Sequence, residues 1–284
     1  MKYPEYNTTD KEGSISCCSC DSNKRTHLWA ILFLIVISFV LNPGCSTDKG
    51  DSLNRIRNAG QISFAMEGTY PPFSFYTEKN ELVGFDVDVA HKVAKRLGVK
   101  AKIVTTEWSN IIQGLRSGDY DGILGSMAVT EERLKLVAFS VPYYYSGAQL
   151  MVRSDASFKS VTDLKGRAIG VVGGTTYEND AKLLGAGRIL LYKDDNQTIH
   201  ELQKGVLDGV ITDKVVGCYL MNSGQINLKR LGALLRNEKI AVAFRKEDDA
   251  LLKKVSKILE TMRKDGSLDD LIKKVTLGGY NCSK

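Results

Sequence analysis

The chain has 284 residues, enough for one or two domains, and its 43% hydrophobic content is typical of a globular protein. The formal net charge is +6, but lysines and acidic residues alternate along predicted helices rather than forming a basic cluster. This pattern disfavours a nucleic-acid groove, so we expect no nucleic-acid partner.

The apolar segment Leu28–Leu41 follows a short basic stretch and predicts an export signal. As a helix it spans only about 21 Å, short of a ~30 Å hydrocarbon core. Cys45 follows a small residue and precedes a polar run, as at a lipoprotein processing site. We therefore predict a lipoprotein signal over residues 1–45, lipidation at Cys45 as a membrane anchor, and a tether over residues 46–52. Asn42 stands where the usual pattern has leucine, so cleavage without lipidation and an uncleaved anchor stay open.

From residue 61 onward, apolar patterns of strand and helix alternate, which indicates an α/β fold. Residues 62–65 predict a strand, and apolar residues four apart predict a helix over 85–97 that ends at Gly98. A second helix is predicted over 108–115, followed directly by a strand at 122–124.

One short pattern occurs twice, at residues 117–124 and 204–211: a helix end, a turn with glycine and aspartate, then a buried strand. Five positions after the aspartate stand Ser126 in the first copy and Asp213 in the second. Ligands of open α/β sheets lie just past the ends of such strands. Two lobes built alike would place Ser126 and Asp213 on opposite walls of one cleft, unless the repeat is a chance echo.

Three motifs, at residues 67–75, 83–90 and 125–133, resemble in order and spacing the extracytoplasmic solute-binding proteins of polar amino-acid ABC transporters (family 3). The resemblance extends over residues 53–275. It implies a periplasmic-binding-protein type II fold, which is α/β with two lobes, a two-strand hinge and a ligand cleft between the lobes. It also implies a free amino acid as ligand, permease subunits as partners, no cofactor, a monomer, and a place in the periplasm or on the outer cell surface.

The connecting segments predict where the lobes begin and end. Residues 141–147 leave the first lobe, and the chain returns to it near residues 239–243. The implied arrangement is a discontinuous first lobe, 53–147 plus 242–284, and a continuous second lobe, 148–241.

Arg133 is the strongest candidate for a ligand contact. Thr130 can cap a helix whose first turn holds Arg133, where a cation opposes the helix dipole, so its placement indicates another role. A guanidinium can bind a carboxylate through two parallel hydrogen bonds. In the resembled family this position binds the α-carboxylate of the ligand. An exposed arginine pairing with Glu131 or Glu132 is the alternative.

The loop at residues 173–177 is predicted to lie between a strand and the next helix, where free backbone N–H groups attract an anion. The family uses the position of Thr175, with its neighbour Thr176, to hold the carboxylate from the second lobe. An ordinary loop and helix cap would explain the same residues. Because neither a Walker sequence nor G-x-G-x-x-G is present, nucleotide binding is disfavoured.

Asp213 ends an apolar strand, where a carboxylate needs a partner. The family match implies a ligand ammonium, whereas Lys214 or a backbone cap is the structural alternative. Gly125 and Ser126 open the third motif, and the Ser126 carbonyl is expected to be a second acceptor for the ammonium. Ala128 replaces the usual serine or threonine, so its N–H can still meet the carboxylate but one ammonium contact is lost.

Tyr70 and Trp108 match the two aromatic positions that sandwich the ligand side chain in the family, although core packing would also explain them. Glu67 aligns with an acid that meets the distal cation in basic amino-acid binders. A solvated loop carboxylate or a bond to Tyr70 is the alternative. We therefore predict a polar, cationic ligand, arginine or lysine.

The remaining candidate chemistry is sparse. Cys218 and Cys282 are predicted to form a disulfide, with two free thiols as the alternative. His91 and His200 lack paired ligands, so we expect no metal site.

An enzymatic alternative remains, because the same fold has given rise to cyclohexadienyl (prephenate/arogenate) dehydratases, and residues 194–199 resemble their second-lobe sequence. Their catalysis is implied to need an acid after Gly-Gly-Thr. Tyr177 stands at that place and Glu178 is one residue late, which favours a binding protein without catalytic residues.

Overall fold

The computed structural model describes residues 52–222 and 227–277. The apolar segment 28–41, Cys45 and Cys282 lie outside the described residues, and the interpretations of them stay predictions. Within the described ranges, no helix combines the length and the apolar character needed to cross a bilayer.

Helices and strands alternate along the chain, as the sequence pattern indicates. The α-helices are α1 (Ser52–Ala59), α2 (Phe85–Leu97), α3 (Ile111–Ser117), α4 (Glu131–Leu134), α5 (Tyr177–Leu183), α6 (Asp195–Gln203), α7 (Lys214–Asn222), α8 (Asp249–Lys264) and α9 (Ser267–Leu277), with 3-10 turns at Trp108–Asn110 and Val161–Leu164. The strands are β1 (Gln61–Met66), β2 (Thr69–Tyr70), β3 (Ser74–Tyr76), β4 (Leu82–Val83), β5 (Lys100–Thr105), β6 (Gly122–Ile123), β7 (Ala138–Phe139), β8 (Tyr144–Arg153), β9 (Ala168–Val172), β10 (Arg188–Tyr192), β11 (Gly209–Asp213), β12 (Leu228–Arg230), β13 (Arg236–Ile240) and β14 (Ala243–Phe244).

The first sheet has the strand order β5–β1–β6–β14–β7. Strand β1 runs parallel to β5 and β6, whereas β14 runs antiparallel to β6 and β7. Because β1, β5 and β6 end at the same edge, the loops that follow them bring Glu67, Trp108 and residues 125–133 together there.

The second sheet has the order β10–β9–β11–β8–β12, with β13 also paired to β8. Strand β9 is parallel to β10 and β11, and β8 is antiparallel to its partners. The parallel strands again end at one edge of the sheet. Residues 173–177 follow β9 there, Asp195 follows β10, and Asp213 is the last residue of β11. Strands β2, β3 and β4 form a small separate sheet beside the first.

Two segments connect the two sheets, and they lie side by side. The Ser140 N–H donates to the Val242 carbonyl at 2.9 Å, and the Tyr143 N–H donates to the Ile240 carbonyl at 2.9 Å. The two-lobed α/β fold with paired connecting strands is therefore present. Strand β8 already begins at Tyr144, before the predicted boundary after residue 147, and the boundaries themselves stay predictions.

The sequence repeat corresponds to a structural repeat. The Asp121 carboxylate accepts the backbone N–H of Ser63 on β1 at 2.7 Å, and the Asp208 carboxylate accepts that of Ala168 on β9 at 2.9 Å. Each aspartate also donates its own backbone N–H to the carbonyl of the same partner, at 3.0 and 2.9 Å. In each sheet, the aspartate that precedes one strand is thus bonded to the neighbouring parallel strand in the same way.

The helix predictions are confirmed with one refinement. Helix α2 spans Phe85–Leu97 and ends at Gly98, whose φ of 80° is accessible to glycine without a Cβ penalty. The predicted helix over 108–115 is a 3-10 turn followed by α3. Helix α8 buries an apolar face of residues three and four apart against the first sheet's helices: Leu251, Val255, Ile258, Leu259 and Met262.

Candidate functional site

A cavity lies where the strand ends of the two sheets meet. We call the side formed by residues 67–133 the first wall and the side formed by residues 172–238 the second wall. The first wall contributes Glu67, Tyr70, Trp108, Gly125, Ser126, Ala128 and Arg133, and the second wall contributes Val172, Thr175, Thr176, Tyr177, Asp195 and Glu238.

Arg133 is buried in the first wall, with 8% of its surface exposed. The Thr130 hydroxyl caps helix α4 by accepting the Arg133 N–H at 3.2 Å. The guanidinium Nη1 donates to the Ala128 carbonyl at 2.9 Å. Burial lowers the pKa of the Arg133 guanidinium from its usual value, and the nearby Glu238 carboxylate opposes that shift. A buried, oriented guanidinium at a cavity is suited to bind a carboxylate.

The Gly174 carbonyl of the second wall accepts two hydrogen bonds from the first. Arg133 Nη2 donates to it at 3.3 Å, and the Trp108 indole Nε1 donates at 3.2 Å. The Arg133 guanidinium also lies 5.4 Å from the centre of the Trp108 ring, within cation–π range. These contacts join the two walls directly.

Two carboxylates line the cavity from opposite walls. Glu67 follows β1 and Asp195 begins α6. Burial raises the pKa of the Glu67 carboxyl to about 8, and the negative charge of Asp195 adds to the rise. Burial likewise raises the pKa of Asp195 to about 6. Both groups would lose their proton more readily beside a cation, so this part of the cavity favours a positively charged group.

Glu238 is a third carboxylate of the cavity, and it is almost fully buried on β13. Its Oε1 accepts the Thr176 hydroxyl at 2.9 Å and pairs with Arg236 Nη1 at 3.1 Å. Arg236 in turn bonds both carboxylate oxygens of Asp180 at 3.1 and 2.8 Å. Because Arg236 compensates this charge, Glu238 is less available to a ligand cation than Glu67 or Asp195.

The loop after β9 has hydroxyl groups with partners inside the protein. The Thr175 hydroxyl donates to the Val172 carbonyl at 2.6 Å. Tyr177 lines the cavity beside Tyr70, and burial raises the pKa of both phenols well above the usual value. The Tyr70 ring stacks on the buried Phe73 ring at a centroid distance of 5.5 Å, which fixes its orientation.

Comparison with known proteins agrees with this geometry. The family model for bacterial extracellular solute-binding proteins, family 3, matches residues 62–277. The chain belongs to this family.

Three proteins similar to this solute-binding protein illustrate what members of the family bind. It is 33% identical over 258 residues to the L-cystine-binding protein TcyJ of Escherichia coli, covering 88% of this chain and 97% of that protein. It is 34% identical to a crystallised mutant of ArgBP from T. maritima, with a TM-score of 0.74 over 78% of this chain and 97% of that one. It is 32% identical to the ancestral amino acid-binding protein AncCDT-1, a precursor of cyclohexadienyl dehydratase, with a TM-score of 0.74 over 81% and 99% of the two chains.

The structure brings most of the residues that the sequence singles out in this solute-binding protein to one cavity. Those that line it are Glu67, Tyr70, Trp108, Gly125, Ser126, Ala128, Arg133, Thr175 and Thr176. Val172, Tyr177, Asp195 and Glu238 also line it but were not among the predicted ligand contacts. Asp195 follows β10 as the other site residues follow their strands, and the position of an acid just after the apolar residues 189–191 is the signal that could have indicated it.

Asp213 is the predicted residue that does not line the cavity. It is 2% exposed, and its Oδ1 accepts the Val215 N–H at 2.7 Å, which is the backbone-cap alternative. Burial raises the pKa of Asp213 to about 7. Its charge also raises the pKa of the Tyr70 and Tyr177 phenols, so the carboxylate lies near both rings. A contact between Asp213 and a ligand ammonium stays a prediction.

Other predicted features of the solute-binding protein fall away from the cavity. Cys218 is buried and disulfide-bonded, while the predicted partner Cys282 lies outside the described residues, so the pairing stays a prediction. Within residues 52–222 and 227–277, no three histidine, cysteine or acidic side chains come together as metal ligands would.

Proposed function

We propose that this solute-binding protein binds one free cationic amino acid, arginine or lysine, in the cavity and delivers it to the permease subunits of an ABC transporter. The family and the amino-acid-binding relatives support the general function. The observation that carries the choice of a cation is the pair Glu67 and Asp195, which line the cavity from opposite walls.

The α-carboxylate of the ligand would bind Arg133. Its guanidinium is buried, and the Ala128 carbonyl orients it at 2.9 Å. The Ala128 N–H and the loop containing Thr175 and Thr176 would complete the anion site, since all three residues line the same cavity. The ligand ammonium would bind near the Ser126 carbonyl, with Asp213 as the predicted acid.

The side chain of the ligand would extend along Tyr70 and Trp108 toward Glu67 and Asp195. Aromatic faces suit an aliphatic stem and a cation alike. Among the described residues that line the cavity, Arg133 is the one basic side chain, whereas three are acidic. With Arg236 compensating Glu238, a bound cation that drives Glu67 and Asp195 to ionise leaves one more acid than Arg133 balances, which a ligand of net charge +1 matches better than a neutral or acidic one.

Competition calorimetry with arginine, lysine, glutamine and glutamate tests the proposal. We expect arginine or lysine to bind most tightly, and Glu67→Gln to weaken the basic ligands while leaving glutamine nearly unchanged. Glu78→Gln, which removes an exposed acid from the loop before β4, is the matched control. If glutamine or glutamate outcompetes both basic amino acids on the unaltered protein, the choice of a cation is wrong.

Cystine is the second candidate ligand, favoured by the 33% identity to the L-cystine-binding protein. Its end remote from Arg133 carries both a carboxylate, which Glu67 and Asp195 would repel, and an ammonium, which they would attract. Arginine presents a cation alone to these acids, so we expect cystine to bind more weakly than arginine. Including cystine in the same competition series decides between them.

Binding rather than catalysis is the function that the loop after β9 favours. Tyr177 lines the cavity where the dehydratases are implied to have an acid, and Glu178 instead accepts the Gly174 N–H at 2.6 Å. Incubation with prephenate and arogenate, followed by product detection, tests this; turnover would establish the enzymatic alternative.

The anchor and the assembly state complete the proposal. We propose that the signal is cleaved immediately before Cys45, that Cys45 then carries lipid, and that the protein is monomeric. Mass spectrometry of the mature N-terminal peptide would detect the lipid, and the Cys45→Ala variant should lose it. Light scattering of the protein without its anchor would give the mass of one chain.

A further inference from the structure

Ser126 has a backbone conformation that its residue type disfavours. Its φ is 54°, in the left-handed region where a side chain with a Cβ is strained, and it lies in the turn that directly follows β6. Ser126 also lines the cavity. A strained residue at a site persists only when its surroundings hold it there.

Two buried side chains hold this turn. The Ser126 hydroxyl donates to Asp86 Oδ2 at 2.8 Å, and the Ser126 N–H donates to the Tyr143 hydroxyl at 3.0 Å. The Tyr143 hydroxyl in turn donates to Asp86 Oδ1 at 2.7 Å. Asp86 and Tyr143 have no exposed surface. Both Asp86 oxygens therefore hold Ser126 in place, one through a direct hydrogen bond and the other through the Tyr143 hydroxyl.

Burying an ionised carboxylate costs desolvation free energy, so the burial of Asp86 needs an explanation. Asp86 lies in the first turn of α2, where the helix dipole favours a negative charge. Burial still raises its pKa to about 7, although the Tyr143 and Ser126 hydrogen bonds oppose the rise.

The turn at Ser126 positions more than one group of the site. Two residues later, the Ala128 carbonyl accepts Arg133 Nη1 at 2.9 Å. A change in φ at Ser126 would redirect the Ser126 carbonyl and shift Ala128, and Arg133 would lose its fixed orientation. Tyr143, the third member of this hydrogen-bond network, lies directly before β8, in one of the two segments that connect the sheets.

We propose that Asp86 is a positioning residue of the binding site, which acts through Ser126 by holding that residue in its left-handed conformation. The proposal rests on the proposed function, because its readout is the affinity for an amino acid. Asp86 touches no ligand in this scheme; it fixes the backbone that does.

Substitutions at Ser126 and Asp86 test the proposal together. Glycine adopts positive φ without strain and keeps the backbone carbonyl and N–H of this position, so Ser126→Gly should weaken binding less than Ser126→Ala does. Ser126→Ala keeps the Cβ but loses the bond to Asp86, and should weaken binding at least tenfold. Asp86→Asn should weaken binding to a similar extent, and the Ser126→Gly change made in that variant should restore most of the affinity. Asp88→Asn, an exposed acid in the same helical turn, is the matched control and should change nothing.

The outcomes separate the possible failures. If the unaltered protein binds none of the twenty amino acids by thermal shift, the proposed function fails and the role of Asp86 falls with it. The positioning role is wrong if the protein binds an amino acid but Asp86→Asn leaves the affinity unchanged. It is also wrong if Asp86→Asn lowers the affinity by the same factor in the unaltered protein and in the Ser126→Gly variant. Should Asp86→Asn not fold, the contrast between Ser126→Gly and Ser126→Ala decides alone: equal affinities would overturn the proposal.

Discussion

The first and second walls of the cavity contribute different chemistry. The first wall supplies the buried guanidinium of Arg133, two aromatic residues and a backbone turn, from segments at residues 67–70, 108 and 125–133. The second wall supplies two carboxylates, Asp195 and Glu238, and the hydroxyls of the loop at residues 173–177. We infer that the first wall recognises the features common to amino acids, whereas the second wall adjusts charge and specificity.

The largest expected effect comes from removing the cation of the first wall. Arg133→Ala should abolish detectable amino-acid binding, since losing one partner of a desolvated charge pair costs about 2–5 kcal/mol. Titration calorimetry measures the loss, and circular dichroism checks that the fold is retained. Arg116→Ala, at an exposed position on α3, is the control and should bind normally. Near-normal affinity of Arg133→Ala would show that Arg133 does not bind the ligand carboxylate.

On the second wall, Asp195→Asn should weaken arginine binding about 10- to 100-fold while sparing glutamine, because the acid faces the distal cation. Asp194→Asn is a close control: Asp194 caps α6 by accepting the Gln197 N–H at 2.9 Å, and asparagine caps a helix equally well. Equal losses for arginine and glutamine would show that Asp195 supports the fold rather than specificity.

Acid pH should weaken cationic ligands through the same acids. The pKa of Glu67 is about 8 without ligand, and a bound cation favours the ionised form. Below pH 8 binding must therefore release a proton, and arginine affinity should fall about fivefold between pH 8 and pH 7. Calorimetry in buffers of different ionisation enthalpy detects the proton. Glutamine should show no such dependence, and Glu67→Gln should abolish it; a pH-independent arginine affinity would refute this charge assignment.

The smallest effect is expected where the walls meet at an exposed rim. Lys193 Nζ pairs with Glu107 Oε1 at 2.8 Å, and both side chains are more than half exposed. Exposed pairs contribute about 0–1 kcal/mol, so Lys193→Gln should change affinity by less than about fivefold, and less still in high salt. A loss as large as that of Asp195→Asn would mean that closure of the rim, and not the cavity, controls binding.

The difference between the walls also explains what could be read from the sequence. Residues such as Ser126 and Arg133 lie in one segment, where local chemistry indicates a role, and helix α2 follows from apolar spacing and a terminal glycine. Glu238 reaches Thr176 across 62 positions of sequence, through strand pairing that no local pattern reveals. The place of Asp213 at a strand end predicts a ligand contact, but the residue is buried and does not line the cavity, which depends on how side chains pack.

The Gly174 carbonyl has a consequence for which molecules the site accepts. It already satisfies Arg133 Nη2 and the Trp108 indole, so a ligand oxygen that approaches Arg133 there displaces an existing acceptor. A carboxylate gains from that exchange, because its charge makes a hydrogen bond roughly twice as strong as a neutral oxygen does. An amide or ester offers an oxygen no better than that of Gly174. We therefore expect amide and ester analogues of amino acids to displace the Gly174 carbonyl less readily, and to bind more weakly, than the free acids.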